Sequence, residues 1–223
     1  MNPAEEWDRQ VQVESKAATS TDARPGAWAR CRRLDPRPAE APRSGTLTFM
    51  PAIPRSKAAI DPGLRTYLRD LIAGLTPWPL YLFGKPGRGK TCAALCLHDY
   101  AGGMYFGVPD LLDLFIRSQQ GRATYRSGGE SRALHPEGLW QAIVTARLVI
   151  MDELGTRTKV SDFHYDVVKG ALDRREGVPL VVIGNLDLAG VAGLYDGRIA
   201  SRLEAGTVVE LDGPDRRIRG DVS

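Results

Sequence analysis

A glycine-rich segment ending in Lys-Thr is the clearest chemical signal in the sequence. It runs Gly84-Lys85-Pro86-Gly87-Arg88-Gly89-Lys90-Thr91 and matches G-x-x-x-x-G-K-[ST] at every fixed position. In such a loop the glycines let backbone N–H groups turn toward phosphate oxygens, the lysine reaches the β- and γ-phosphates, and the hydroxyl binds Mg²⁺. We therefore expect residues 84–91, together with Cys92, to bind ATP, with Lys90 on the phosphates and Thr91 on the metal.

Two adjacent acids follow an apolar run about 60 residues further along the chain. The segment is Leu148-Val149-Ile150-Met151-Asp152-Glu153. An apolar run of this length is typical of a parallel strand that is buried on both faces, so the acids stand at its C-terminal end. We expect Asp152 to support Mg²⁺ through its water shell and Glu153 to act as general base on an attacking water.

A polar amide follows the next apolar run. Leu180–Ile183 is succeeded by Gly184 and Asn185. An amide in this place can hydrogen-bond the γ-phosphate or the lytic water, which is the role we predict for Asn185. The alternative is a turn residue after glycine, which asparagine also suits.

Alternating strands and helices are needed to bring these groups together. Asp61-Pro62 has the features of a helix start, and a periodic segment follows it to Gly74. We predict strands at Leu80–Phe83, Met104–Phe106, Leu148–Met151, Leu180–Ile183 and Thr207–Leu211. We predict helices at Lys90–Tyr100, Asp110–Gln119, Pro136–Ala146 and Ser161–Arg175, short helices near 188–204, and a polar loop at about 120–135. Short apolar strands between helices indicate an α/β fold, a parallel five-stranded sheet covered on both faces.

The first 56 residues differ from the rest in composition. They mix Pro, Ala, Ser, Thr and alternating charges with few apolar residues, so we expect a mostly disordered tail before an ATP-binding domain at 57–223. The sequence has no run of 18 apolar residues and no secretory signal, and its three cysteines lack a CxxC pair. These features favour a cytoplasmic protein without a membrane partner, a disulfide framework or a zinc site.

The order of the motifs resembles the AAA+ ATPases, in particular the bacterial replicative-helicase loaders and transposition-helper ATPases (DnaC/IstB-like). The likeness covers roughly residues 60–212 and rests on LYLFGKPGRGKT, YFGVPDLLDLF, LVIMDELG, VVIGN and GRIASRLEAGTVVEL. It implies a P-loop NTPase of the AAA+ type with three α/β/α layers. The chain stops about 12 residues after the last predicted strand, so we expect no C-terminal helical lid, and the Cys/His zinc module of some loaders is absent from the sequence.

The same resemblance assigns roles to three residues. Asn185 is expected to be the sensor-1 residue. Arg202, with Arg198 as a weaker candidate, is expected to project into a neighbouring subunit's ATP site, which implies a nucleotide-dependent homo-oligomer. The alternative for Arg202 is a salt bridge on a solvated helix.

A basic segment with one aromatic residue is a candidate contact for single-stranded DNA. It contains Arg117, Arg122, Tyr125 and Arg126, side chains suited to backbone phosphates and base stacking. In the resembling family this region faces a central channel. A solvated connecting loop is the alternative, and the C-terminal Arg216, Arg217 and Arg219 form a second basic cluster.

These observations lead to one expected function and several alternatives. We expect an ATPase that loads or remodels a replicative helicase on single-stranded DNA. The runner-up is a transposition helper that acts with a transposase. Two other classes remain open, a small-molecule P-loop kinase or ATPase and a nucleotide-gated scaffold with little turnover.

Overall fold

Five parallel strands form the central sheet of the computed structural model, which describes residues 75–101, 103–127 and 130–212. The strands are β1 (Leu80–Phe83), β2 (Met104–Gly107), β5 (Val149–Leu154), β6 (Leu180–Gly184) and β7 (Thr207–Glu210), in the spatial order β2-β5-β6-β1-β7. The predicted tail, the helix after Asp61 and the C-terminal arginine cluster lie outside the described residues.

Six helices connect these strands within the described part of the chain. They are α1 (Lys90–Ala101), α2 (Val108–Gln119), α3 (Pro136–Thr145), α4 (Asp162–Arg174), α5 (Leu188–Leu194) and α6 (Gly197–Glu204). Side-chain caps begin the last three, since Ser161, Asp187 and Asp196 each accept a hydrogen bond from an N–H of the first turn. The predicted α/β fold and its parallel five-stranded sheet are confirmed.

Alternate residues of each strand supply two separate cores. On one face Tyr81, Met151 and Val182 pack with residues of α2 to α6. On the other face Leu82, Ile150 and Val181 pack with residues of α1. Both faces of the sheet are therefore buried, which explains why these strands read as continuous apolar runs in the sequence.

An antiparallel hairpin stands where we predicted a polar loop. Strands β3 (Thr124–Ser127) and β4 (Glu130–Ala133) form a separate two-stranded sheet, with Tyr125 opposite Arg132. The prediction was wrong because these strands are polar and lack the alternation that marks a half-buried strand. Gly128-Gly129, which separates them in the sequence, is a known hairpin signal.

Strand β5 is longer than predicted. It continues through Asp152 and Glu153 to Leu154 rather than ending at Met151. Met151 pairs with Val182 and Leu154 with Gly184, so three steps along β5 match two along β6. One residue of β5 is therefore extra, which defines a β-bulge within the segment that carries the two acids.

The fully buried side chain of Arg175 links two connections at the amino-terminal edge of the sheet, α3 to β5 and α4 to β6. Its Nη1 donates to the carbonyls of Ile143 at 2.6 Å and Ala146 at 3.0 Å, where α3 ends, and its Nη2 donates to the carbonyl of Pro179 at 2.6 Å, just before β6. A cation at the C-terminus of a helix also interacts favourably with the helix dipole. Arg175 therefore satisfies carbonyls that no water can reach.

Replacing this arginine should destabilise the protein strongly. We expect Arg175→Met to lower the free energy of unfolding by about 3 kcal/mol or more, because several buried carbonyls lose a charged donor. The matched control is Arg174→Met, since Arg174 is exposed and its guanidinium lies 4.2 Å from the ring centre of Trp140, a contact worth about 0.5–1 kcal/mol. Urea denaturation of both variants measures the difference. Equal losses of unfolding free energy would contradict the role of Arg175 as the donor to these buried carbonyls.

Candidate functional site

The predicted site residues lie where three neighbouring strands end. In the sheet β6 lies between β5 and β1, and all three strands are parallel. The glycine-rich loop follows β1, Asp152 and Glu153 lie at the end of β5, and Asn185 follows β6. The fold therefore brings these groups to one edge of the sheet, the carboxyl edge.

The glycine-rich loop has the backbone of an anion site. Gly87 and Gly89 have φ values of 79° and 87°, which other residues rarely adopt. Among the described residues, the N–H groups of Gly87 and Gly89 donate to no backbone carbonyl. N–H groups left without a partner in such a loop form the kind of concavity that binds phosphate, and α1 begins at Lys90, so the positive end of its dipole points at the same place.

Lys90 is buried and points back into this loop. Its Nζ donates to the carbonyls of Gly84 at 2.6 Å and Lys85 at 2.9 Å. The ammonium group is thus held beside the N–H groups that would surround a phosphate. The side chain of Lys85 itself is exposed.

Asp152 is the centre of a hydrogen-bonded cluster behind the loop. Its Oδ2 accepts from Thr91 Oγ1 and from Tyr105 Oη, each at 2.7 Å, and its Oδ1 accepts from the N–H of Glu153 at 2.7 Å. The two predicted magnesium ligands, Thr91 and Asp152, are therefore in direct contact. This arrangement fits a hydrated Mg²⁺ that takes its other ligands from phosphate and water.

Tyr105 was not predicted from the sequence. It is a buried residue of the edge strand β2, and burial, followed by the nearby Asp152 carboxylate, raises the pKa of its hydroxyl. Tyr105 therefore stays protonated and donates to Asp152 at any physiological pH. Only the pairing of β2 with β5 places the two side chains together, and that pairing is not visible in the sequence.

Glu153 has an unusual backbone conformation. Its φ is 66°, and no other non-glycine residue in the described part of the chain has a positive φ. Its side chain is exposed. A left-handed conformation costs a non-glycine residue on the order of 1 kcal/mol and is typical of functional positions. Because of the bulge in β5, the side chain of Glu153 does not follow the strand's regular alternation between the two faces of the sheet. It is exposed, whereas Asp152 and Leu154 are buried.

A second carboxylate lies beside Glu153. A Cβ atom placed on Gly107 would be 3.1 Å from Asp110 Oδ2 and 3.7 Å from Glu153 Oε2, so both side chains converge on this glycine. Partial burial, then the charge of Asp152, then that of Asp110 raise the pKa of Glu153. A raised pKa improves a carboxylate as a proton acceptor. Asp110, in the first turn of α2, was not identified in the sequence as a site residue.

Asn185 lies at the same edge and is exposed. The turn that carries it is anchored by Tyr81, whose hydroxyl donates to the carbonyl of Leu186 at 2.7 Å. Gly184 is required here, because a Cβ atom on it would lie 2.6 Å from the hydroxyl oxygen of Tyr81. The predicted role of Asn185 on a phosphate or water stays a prediction.

Arg202 lies at the opposite, amino-terminal edge of the sheet. It is in the last turn of α6, a few residues before β7 begins, and β7 runs parallel to β1 from Thr207 beside Leu80 to Glu210 beside Phe83. The glycine-rich loop starts at the other end of that strand. Arg202 forms an ion pair with Asp173 of α4 and donates from Nη1 to the carbonyl of Arg198 at 3.2 Å.

The four candidate DNA-binding residues lie on or near the hairpin. Arg122 precedes it and is exposed, and Tyr125 and Arg126 belong to β3. Tyr125 is half-buried against the main core, and Arg117 pairs with Asp113 one turn earlier on α2 at 2.8 Å. Of the candidates whose side chains the structure describes, Arg122 is therefore the most accessible to a nucleic acid.

Two other kinds of site, a metal cluster and a membrane-spanning helix, are absent from the described residues. No cluster of three or more His, Cys, Asp or Glu side chains suited to a metal ion occurs in the described part of the chain. None of its helices has the length and apolar character needed to cross a membrane. Cys92 is a buried residue in the first turn of α1.

Comparison with solved structures confirms the α/β fold with its parallel five-stranded sheet. The chain is similar to DnaI at 19% identity and a TM-score of 0.55, covering 72% of this chain and 95% of that chain. Domain III of the Thermotoga maritima replication initiation protein DnaA is similar at 17% identity and a TM-score of 0.53, covering 70% and 65% of the two chains.

A third similar structure is AMPPCP-bound DnaA from Aquifex aeolicus, at 15% identity and a TM-score of 0.50. The match covers 63% of this chain and only 43% of that chain. No protein-family model and no curated protein sequence matches the chain.

The backbone of Glu153 yields a stability prediction. We expect Glu153→Gly to raise the free energy of unfolding by about 0.5–1 kcal/mol relative to Glu153→Gln, because glycine adopts positive φ without strain. Glu210→Gly is the matched control: Glu210 is an exposed residue of β7 without positive φ, so glycine should destabilise there. Thermal or urea unfolding measures all three variants. A lower stability for Glu153→Gly than for Glu153→Gln would contradict a strained glutamate.

Proposed function

We propose that this protein binds ATP with Mg²⁺ and hydrolyses it, and that it acts in DNA replication on single-stranded DNA. The observation that carries the proposal is the contact of Thr91 with Asp152 directly behind a loop of unpaired N–H groups that holds Lys90. A hydroxyl, a carboxylate, an ammonium group and free N–H groups together match the chemistry of a magnesium-bound triphosphate.

Each group has a distinct task in this proposal. Lys90 and the N–H groups of residues 87–89 bind the phosphates, and the lysine exchanges its present carbonyl partners for phosphate oxygens. Thr91 and Asp152 hold Mg²⁺, which neutralises phosphate charge when bound. Tyr105 keeps Asp152 oriented by its hydrogen bond, so that the carboxylate does not rotate away.

Glu153 acts as the general base. Its Oε2 takes one proton from the attacking water, the remaining hydroxide adds to the γ-phosphorus, and the bond from that phosphorus to the bridging oxygen breaks. Partial burial, followed by the charges of Asp152 and Asp110, supports this step, since these effects raise the pKa of Glu153. Asn185 orients the water or the γ-phosphate from the end of β6.

A role in DNA replication is supported by the fold. Similar structures include DnaI and a replication initiation protein, although at 17–19% identity they establish only the architecture. We propose a replicative helicase as the protein partner, with a transposase as the alternative. The hairpin β3–β4 and the exposed Arg122 are the proposed contact for the sugar-phosphate backbone of single-stranded DNA.

ATP turnover with and without single-stranded DNA tests the proposal. We expect DNA to stimulate the wild type, Lys90→Ala to lose ATP binding and turnover together, and Glu153→Gln to keep binding while losing about 10²–10⁴-fold in turnover. Arg122→Ala should keep the basal rate and need more DNA for half-maximal stimulation, and this difference should shrink as salt rises, because the variant makes one phosphate contact fewer. Arg157→Ala, another exposed arginine, is the charge-matched control.

The outcomes separate the competing functions. Binding without any Glu153-dependent turnover would favour a nucleotide-gated scaffold over an ATPase. An ATP turnover rate that DNA does not change, in the wild type or in any variant, would contradict a role on single-stranded DNA. Affinity capture with ATP present distinguishes a helicase partner from a transposase.

A further inference from the structure

The carboxylate of Asp152 is almost fully occupied by hydrogen bonds from the protein itself. A carboxylate has about four positions at which it accepts a hydrogen bond. Oδ2 accepts two, from Thr91 Oγ1 and from Tyr105 Oη, each at 2.7 Å, and Oδ1 accepts one from the N–H of Glu153 at 2.7 Å. Counted over the described residues, a single position on Oδ1 is left for a ligand.

Tyr105 is buried beside this carboxylate. Its side chain is 6% exposed and belongs to the same core as Leu95 of α1 and Ile150 of β5. Asp152 is also only 6% exposed. Neither side chain turns toward water without leaving the core, so the tyrosine hydroxyl stays on Oδ2 and fixes the orientation of the carboxylate.

A fixed carboxylate with one free position suits Mg²⁺ better than Ca²⁺. Mg²⁺ keeps several of its waters and takes few oxygen atoms from the protein. Ca²⁺ takes about six to eight oxygen ligands, in many sites both oxygens of one carboxylate, and suits flexible sites. Oδ2 joins such a site only if Thr91 or Tyr105 gives up its bond. Thr91 is itself a proposed metal ligand, so Tyr105 is the donor whose presence decides the matter.

We propose that Tyr105 determines the metal preference of the nucleotide site: by occupying Oδ2 it limits Asp152 to a single point of contact and thereby favours Mg²⁺ over Ca²⁺. This inference rests on the proposed function, because it takes the ligand of the site to be a nucleoside triphosphate with its metal. Tyr105 acts through Asp152, so it is a positioning residue and not a metal ligand.

Calorimetric titration of ATP tests this preference. Wild type and Tyr105→Phe are each titrated with Mg²⁺, with Ca²⁺ and with a chelator. We expect Mg²⁺ to raise the ATP affinity of the wild type more than Ca²⁺ does. In Tyr105→Phe this preference should fall about tenfold or more. Loss of a hydrogen bond to a metal-binding carboxylate typically costs roughly 10–100-fold in metal affinity, and the freed Oδ2 becomes available to the larger ion.

Two controls separate a change in metal preference from a folding defect. Phenylalanine keeps the ring in the core, so the ATP affinity measured with the chelator should be unchanged in Tyr105→Phe. Tyr195→Phe is the matched variant, since the hydroxyl of Tyr195, between α5 and α6, shares a hydrogen bond with His164 at 3.0 Å. Tyr195→Phe should keep the wild-type preference for Mg²⁺.

Four results would overturn the inference. They are an equal gain in ATP affinity from Ca²⁺ and Mg²⁺ in the wild type, an unchanged preference in Tyr105→Phe, an equal loss of preference in Tyr195→Phe, and loss of ATP binding by Tyr105→Phe in the chelator. A wild type whose ATP affinity neither metal raises would contradict the proposed function as well. A preference that depends on Tyr105 in a protein that does not hydrolyse ATP would contradict the proposed hydrolysis alone.

Discussion

The Asp152 carboxylate is the interaction on which the arrangement of the site depends. It accepts hydrogen bonds from Thr91 in the first turn of α1, from Tyr105 in β2 and from the N–H of Glu153. One buried anion thereby ties the start of a helix, an edge strand and the end of β5 into a fixed geometry. Removal of a partner from such a buried group is costly, so these contacts hold the phosphate loop in place before any ligand arrives.

The bulge in β5 resolves a conflict between packing and chemistry. A regular strand would place Glu153 and Met151 on the same face, where Met151 is buried in the core. The extra residue allows Glu153 to adopt positive φ and become exposed, while Leu154 returns to the core. Strain at this residue is therefore the structural cost of having an accessible carboxylate beside a buried one.

The two ends of the sheet have separate tasks in this account. The glycine-rich loop, Asp152, Glu153 and Asn185 lie at the carboxyl edge. The buried Arg175 and the Asp173–Arg202 ion pair lie at the amino edge. Only the first set lies near the chain's own site.

Much of this architecture was predictable from local patterns. The apolar strands, the helix periodicity and the G-x-x-x-x-G-K-[ST] loop depend on residues that are close in sequence, and the structure confirms the predicted order of the five parallel strands and of the helices between them. The hairpin was missed because its strands are polar. The bulge was missed because Val-Ile-Met-Asp-Glu-Leu contains no turn residue.

Contacts between distant segments were beyond the reach of the sequence. Tyr105 meets Asp152 only because β2 lies next to β5, and Asp110 approaches Glu153 only because α2 begins where β2 ends. The ion pair of Asp173 with Arg202 joins residues 29 positions apart on two helices. Each of these pairs depends on strand order and helix packing, which no local pattern specifies.

Magnesium dependence of ATP binding tests the central claim most directly. Calorimetric titration of ATP into the wild type and Asp152→Asn, each with Mg²⁺ and with a chelator, measures whether Asp152 holds the metal. The account predicts that Mg²⁺ raises the ATP affinity of the wild type and that this gain is largely lost in Asp152→Asn. An equal gain in both proteins, or no binding of ATP to the wild type, would contradict it.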